Sequence, residues 1–288
     1  MTVLISGCGD LGTEVGLRFA ALGHRVIGVR RSADLLPAPI EGQAVDLRVA
    51  RPVVPADTDI VVVAIAASAP TPEEYRAAYV DGLANTLVGV DESGATPRRI
   101  ILVSSTAVYD VHDGSWVDER SPADSAAPNA RILAEAEQLV AARPGAVVLR
   151  LAGIYGPGRD RLIGQVRSGA ATVGPGSPHT NRIHRDDAAA AIVHLALIDA
   201  QPAPVYIGVD SSPSRRSDVV RFLAGELGVE LDEQPADVAP TGQTSEDRRG
   251  GDKRCSNALL LSTGFAFTYP DFRAGYRSML AGVGTRHP

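Results

Sequence analysis

The sequence predicts an α/β fold: a doubly wound parallel sheet with a smaller C-terminal α/β lobe. Three observations carry this. Short, β-branched apolar runs alternate with helical patterns from residue 2 to residue 151, as parallel strands with right-handed crossovers require. One run, residues 59–67, is apolar almost throughout, which suits a strand covered on both faces. The first strand leads directly into three glycines that open a helix.

Val3, Leu4 and Ile5 form that first strand, a run too short for a helix. Gly7, Gly9 and Gly12 follow at G-x-G-x-x-G spacing, and Val15, Leu17, Phe19, Ala20 and Leu22 give the apolar side of a helix that stops near Gly23. In such a turn the first glycine permits the tight bend. The second lets backbone approach a pyrophosphate, and the third lets helix and strand pack closely. The helix N-terminus offers N–H groups and a positive dipole end to phosphates. The strand before and the helix after are the context this motif needs. The reading is a dinucleotide-binding Rossmann unit, with Gly7, Gly9, Asp10, Leu11 and Gly12 around the cofactor. The alternative is a glycine-rich turn that binds nothing.

The second strand, residues 25–29, ends in Arg30, Arg31 and Ser32. An acidic residue there would bind the adenosine ribose 2′-hydroxyl and select NAD; arginine accommodates a 2′-phosphate. The two arginines predict NADP over NAD, against the alternative of a solvated basic turn. A third strand, residues 42–47, ends in Asp46 and Leu47, both expected beside the cofactor. The fourth, residues 59–67, ends in Ala64, Ala66 and Ala67, whose small side chains leave room for a nucleotide. A helix starting at residues 70–73 carries Tyr75, Tyr79, Leu83 and Leu87 at helical spacing.

The fifth strand, residues 100–103, runs into Ser104, Ser105, Thr106 and Tyr109. Hydroxyls at the carboxyl end of a buried parallel strand lie where such folds do chemistry; alternatively they satisfy loop backbone. Residues 110–129 read as a long loop with Trp116 partly buried, followed by a helix over residues 130–142. The sixth strand, residues 146–151, leads to Ile154 and Tyr155.

Beyond that strand the pattern loosens. A short helix (162–168), a Gly/Pro loop (173–178) and a helix (188–198) capped by Asp186 or Asp187 are expected. A strand (205–209) and a helix (217–227) capped by Ser217 or Asp218 follow, then a polar surface loop (232–252). The last pieces lie at 257–264 and 271–280. Residues 1–155 form the dinucleotide-binding unit and residues 156–288 a substrate lobe interleaved with it.

Composition narrows the function. The 288 residues carry a formal net charge of −6 and no basic block, against a nucleic-acid surface. No apolar run has membrane-spanning length, and the N-terminus enters a strand with no leader-like segment. Cys8 and Cys255, far apart, fit a reducing cytoplasm and give no case for a disulfide or a metal site. Cys8 reads as packing.

Several segments together resemble one family, the short-chain dehydrogenase/reductase superfamily in its NAD-dependent epimerase/dehydratase branch. They are residues 7–12, Asp46 and Leu47, residues 63–67, residues 104–109, residues 149–159 and residues 182–187, in the family's order. The glycine spacing is that of the atypical members; most extended members carry G-x-x-G-x-x-G. The resemblance implies a nicotinamide cofactor, a small-molecule substrate and homodimer packing through the two long helices.

It also implies a Tyr-x-x-x-Lys pair on the helix after the fifth strand, with a serine that positions the substrate. The tyrosine moves the proton, while the lysine lowers its pKa and holds the nicotinamide ribose. Ser105 matches the serine. Asn129 stands at the tyrosine position and Leu133 at the lysine position, and shifting by two gives Ala127 and Arg131. Three explanations stay open. Tyr109, Tyr155 or His184 takes the proton-transfer role, with Arg182 holding an anionic substrate group and Arg131 lending charge. Or the chain senses NADP(H) without turnover. Or a partner completes the site. For each residue a packing, capping, solvent or ion-pair role is the plainer alternative.

Overall fold

The computed structural model describes residues 1–174, 176–231 and 251–288, so most of the expected loop 232–252 lies outside the described residues. The chain begins β1 (Thr2–Ser6), α1 (Asp10–Ala21), β2 (Arg25–Arg30), β3 (Glu41–Ala44) and β4 (Thr58–Val63). A continuous helical segment follows: α2 (Pro72–Tyr75), a π-helical turn (Arg76–Asp81) and α3 (Gly82–Ser93). Then come β5 (Arg99–Ser105), β6 (Trp116–Val117), α4 (Pro128–Ala141), β7 (Ala146–Leu151), β8 (Gly153–Tyr155) and α5 (Arg161–Arg167). The remainder is β9 (His179–Thr180), β10 (Arg182–His184), α6 (Arg185–Leu197), β11 (Val205–Gly208), β12 (Ser214–Arg215) and α7 (Arg216–Leu227). Last are β13 (Arg254–Cys255), α8 (Ala258–Ser262) and α9 (Phe272–Leu280).

Seven strands form one parallel sheet in the order β11-β7-β5-β4-β1-β2-β3. The order runs outward in both directions from the β1–β4 pair, so the crossovers on either side of that pair open a crevice at the strands' carboxyl ends. Strand side chains alternate between two cores. Val3, Ile5, Ile60, Val62, Ile101 and Val147 face α1 and α6, while Leu4, Val61, Val63, Ile100, Leu102 and Val148 face α3 and α4. The second half of the chain therefore supplies both the edge strand β11 and the covering helix α6. A separate aliphatic and aromatic cluster joins α5, α7 and α9 around Ile163, Val220, Leu223 and Phe272.

Several local expectations change. The third strand ends at Ala44 because the chain turns there, with the Asp46 carboxylate accepting from the Arg48 N–H at 3.1 Å. Helix α6 is capped by His184, whose Nδ1 accepts from the Asp186 N–H at 3.2 Å. Asp187 instead accepts from the N–H groups of Thr268 and Tyr269, at 2.8 and 2.9 Å. Helix α7 starts at Arg216 with no side-chain cap, so neither Ser217 nor Asp218 has that role. Trp116 is 57% exposed rather than partly buried; the Arg254 guanidinium covers its ring at 5.1 Å. The loop around it is tied down by the parallel β6–β13 pair.

Between β5, β7 and α4 lies a buried charged network. Arg150 Nη2 and Nε donate to Glu137 at 2.6 and 3.0 Å, and Arg150 Nη1 donates to the Tyr109 hydroxyl at 2.8 Å. Ser104 Oγ donates to Glu137 Oε1 at 2.6 Å. Removing one member of such a pair strands a charge in low dielectric. Glu137→Ala is therefore expected to lower stability by about 3–5 kcal/mol, read by chemical denaturation, with a paired Glu137→Ala, Arg150→Met variant recovering part of the loss.

Candidate nucleotide crevice

The crevice over the carboxyl edge has two lobes that share Gly7, Gly9, Ala64, Ile65 and Ala66. Each glycine of the turn has a separate physical reason. Gly7 has φ +83°, and a Cβ there would stand 2.6 Å from the Ile65 backbone. A Cβ on Gly12 would meet the Gly7 carbonyl oxygen at 2.8 Å. A Cβ on Gly9 would meet nothing within 4 Å, because Gly9 faces the crevice itself. Tight turn, close helix–strand packing and an open approach are what a bound pyrophosphate requires. Helix α1 starts at that point with no side-chain cap on its first-turn N–H groups. The cradle fits a dinucleotide.

Asp10 is the first residue of α1, where its charge would oppose a phosphate. Two guanidinium groups answer it: Arg159 Nε donates to Oδ2 at 3.0 Å and the fully buried Arg185 Nη1 to Oδ1 at 2.9 Å. Arg159 itself lines the crevice beside Gly9. Cys8, by contrast, is buried behind the turn, and desolvation pushes its thiol up to about 11; it packs against Gly28.

One lobe, a cavity of about 240 Å³, is rimmed by Arg30, Arg31, Ser32, Asp46, Leu47 and Arg48. Arg30 Nη1 also donates to the Pro288 carbonyl at 2.6 Å. The Arg48 side chain holds the Asp46 carboxyl down at about 2, so Asp46 stays ionised and its charge is matched. The other lobe, about 320 Å³, is lined by Leu11, Tyr79, Ser104, Ser105, Leu151, Ala152 and Ile154. Ser105 Oγ accepts from the Ala107 N–H at 3.2 Å.

Four other residues singled out from the sequence lie away from this lining. Tyr109 is buried, with its hydroxyl held by Arg150 and its carbonyl accepting from Lys253 Nζ at 2.9 Å; desolvation pushes the phenol up to about 12. On β8, Ile154 faces the crevice and the next residue, Tyr155, faces the other way, as strand alternation dictates. Tyr155 packs on Tyr276 at 4.8 Å and edge-on to His184 at 5.3 Å, and burial raises its pKa. His184 stacks on Tyr269 at 3.9 Å while capping α6, and desolvation lowers its ring to about 4, so it is neutral at physiological pH. Arg182 is buried over the Phe272 ring, with Nη2 donating to Thr180 Oγ1 at 2.5 Å.

On α4, Asn129 Nδ2 donates to the Pro70 carbonyl at 3.0 Å, Leu133 is buried and Arg131 is exposed to solvent. The crevice residues missed by sequence reasoning include Arg48, Ile65, Ser68, Glu74, Tyr79 and Arg159. Arg159 had a signal, its place at the end of a Gly-Pro-Gly segment. Tyr79 had none, because its helical spacing marks a packed face equally well.

Asp210, beside Arg182, is 1% exposed; Oδ1 accepts from the Ser212 N–H at 3.0 Å and Oδ2 has no partner among the described residues. Desolvation raises it to about 7, more than the nearby Arg182 lowers it. A folded-state pKa above the unfolded value contributes stability that is complete below the unfolded pKa and is lost as pH rises through the folded one. Asp210→Asn is thus expected to gain on the wild type between about pH 4 and 7, by roughly 2–4 kcal/mol in total, and no further above that. Urea unfolding of both proteins across that range measures it, and a pH-independent difference would refute it.

No protein-family model and no curated protein matches the chain. Solved structures do. A candidate NAD-dependent epimerase/dehydratase from Methylobacillus flagellatus is 36% identical, with 98% of each chain covered and a TM-score of 0.78. A conserved protein of unknown function from Silicibacter pomeroyi is 27% identical over 99% of each chain, TM-score 0.73. A human epimerase family protein solved with NADPH is 21% identical, covering 98% of this chain and 100% of its own, TM-score 0.78. With the glycine cradle, the seven-stranded order and a 36% identical relative over the whole length, the chain belongs to the NAD-dependent epimerase/dehydratase family.

Proposed function

We propose that the protein binds NADP(H) across the crevice and is an oxidoreductase or epimerase/dehydratase-type enzyme acting on a small molecule. The observation that carries this is the crevice's polarity: arginines at one end, hydroxyls at the other, and the glycine cradle between. Gly7, Gly9, Asp10, Leu11 and Gly12 hold the pyrophosphate region, with Ala64 and Ala66 giving room and Asp46 and Leu47 flanking the adenosine. Arg30 and Arg31 take the 2′-phosphate, and Arg48 adds a third guanidinium at that rim. The Methylobacillus protein is described as NAD-dependent and the human one was solved with NADPH, so these arginines are what argue for NADP here.

The nicotinamide, when bound, supplies or accepts a hydride. Ser104, Ser105 and Ile154 line that end. Ser104 donates its hydrogen bond to Glu137 and is fixed in place. Ser105 accepts a backbone N–H, so its own proton can be donated to a substrate oxygen. No chemical step is assigned to Tyr109, Tyr155, Arg182 or His184, whose side chains pack or bond away from the crevice. A second reading, a non-catalytic NADP(H)-binding regulator, is favoured by Asn129 and Leu133, which give α4 neither an acid nor a cation at the family's catalytic positions.

Titration with NADPH and NADH by nucleotide fluorescence tests the cofactor assignment. The wild type should prefer NADPH, and Arg30→Glu with Arg31→Ala should lose that preference by roughly tenfold or more, since each charge-assisted phosphate contact is worth ~1.5–3 kcal/mol. An unchanged preference would overturn the NADP assignment. Gly9→Val should weaken NADPH by roughly 100-fold while leaving the melting temperature nearly unchanged, because its side chain enters the ligand's space. Gly12→Val should lower the melting temperature even without nucleotide, because its side chain enters the Gly7 carbonyl.

A further inference from the structure

We propose that Tyr79 supplies the hydroxyl that meets the substrate oxygen, together with Ser105, in place of the tyrosine that α4 lacks; this rests on the cofactor reading above. Tyr79 and Ser105 line the same lobe of the crevice, along with Ser104, Ala152 and Ile154. Ser104 is committed to Glu137. Tyr79 and Ser105 are therefore the hydroxyls there that can donate outward.

The fold shows how the ring reaches that place. Tyr79 sits in the π-helical turn Arg76–Asp81, between α2 and α3. A π-turn carries one more residue than an α-turn and so re-aims the side chains on it, and such turns recur at functional sites. The ring is braced by Tyr75, centroid to centroid 5.2 Å, and both rings pack against the cluster containing Val108, Tyr109 and Leu133. Leu133, at the family's lysine position, is thus part of the wall on which the Tyr79 ring rests. The aromatic hydroxyl missing from α4 is delivered from the facing helix.

The hydroxyl has the polarity of a donor. The nearby Ala67 backbone favours its ionised form less than burial opposes it, and no hydrogen bond that the Tyr79 hydroxyl donates is found among the described residues. Burial pushes the phenol up to about 12, so it is protonated at neutral pH. It cannot serve as a resting base. The substrate class that fits is a carbonyl compound whose oxygen gains negative charge. The Tyr79 Oη–H bond breaks as the substrate O–H bond forms, and the phenolate regains its proton from water. The nicotinamide, when bound, would supply the hydride that forms the new C–H bond at the carbonyl carbon.

The test uses the full chain, NADPH, and 9,10-phenanthrenequinone as a generic carbonyl probe. NADPH titration of the wild type comes first; absence of binding would sink the cofactor reading itself. With binding in hand, Tyr79→Phe should hold NADPH within about twofold yet reduce the quinone about 100-fold or more slowly, while Tyr75→Phe stays within a few-fold of wild type. A crystal structure of the NADPH complex gives a readout independent of turnover. Tyr79 Oη and Ser105 Oγ should both reach one point over the nicotinamide C4, each within about 3 Å of it. Wild-type rates in Tyr79→Phe, or an Oη turned away from the nicotinamide in the complex, would overturn the proposal while leaving the cofactor reading intact. If the wild type binds NADPH but leaves the quinone unreduced, the complex alone decides, by that same geometry.

Discussion

The close approach of the Gly7 turn to the end of β4 governs the crevice. Backbone stands where a side chain would be, 2.6 Å from the position of a Cβ on Gly7. That contact sets the β1–α1 turn directly against Ala64, Ile65 and Ala66, and the Gly12–Gly7 contact holds α1 down behind it. Both lobes of the crevice share these residues. Their position fixes where a phosphate can sit, and so also which residues of β2, β5 and β8 can face the ligand.

Charge around this turn is balanced at short range. Asp10 at the start of α1 is matched by Arg159 and Arg185, which reach it from the far side of the sequence. Asp46 and Glu74 are both matched by Arg48, at 2.7 and 3.5 Å. The crevice can therefore accept an anionic ligand without unpaired carboxylates facing it. Behind the other lobe, Glu137 and Arg150 form a buried pair that also binds Ser104 and Tyr109. A buried pair of this kind is costly to desolvate and costly to break. It holds the β5 end rigid, so that Ser105 stands at the crevice in a defined place. The same network removes Tyr109 from contention as a free proton donor.

Family resemblance and local chemistry pull apart on α4. Asn129 ties the helix to Pro70, and Leu133 belongs to an apolar cluster. Neither can ionise. The glycine cradle is kept while α4 carries no Tyr and no Lys, and the hydroxyls that face the lobe beside Ala152 and Ile154 come from β5 and from the π-turn before α3. A shared fold therefore fixes where the chemistry is placed more firmly than which group performs it.

The strands and the glycine turn were legible in the sequence because they depend on local properties. A β-branched run of five residues, or a position that admits no Cβ, constrains its neighbours wherever the chain goes. That Arg30, Arg31, Ser105 and Ile154 lie along one edge was legible too, since the ends of parallel strands share that edge whatever the rest of the chain does. The lobe was harder. Tyr155, Arg182 and His184 lie in a motif-rich stretch, but strand alternation and helix capping decide which way each points, and a one-residue difference reverses the answer. The caps of α6 and α7 depended on backbone geometry that composition does not reveal. The sequence by itself determined the sheet, the cradle and an α4 without Tyr or Lys. Only the tertiary structure decided that Tyr79, Arg48 and Arg159 line the crevice, because packing between distant elements, not spacing along the chain, brings them to one surface.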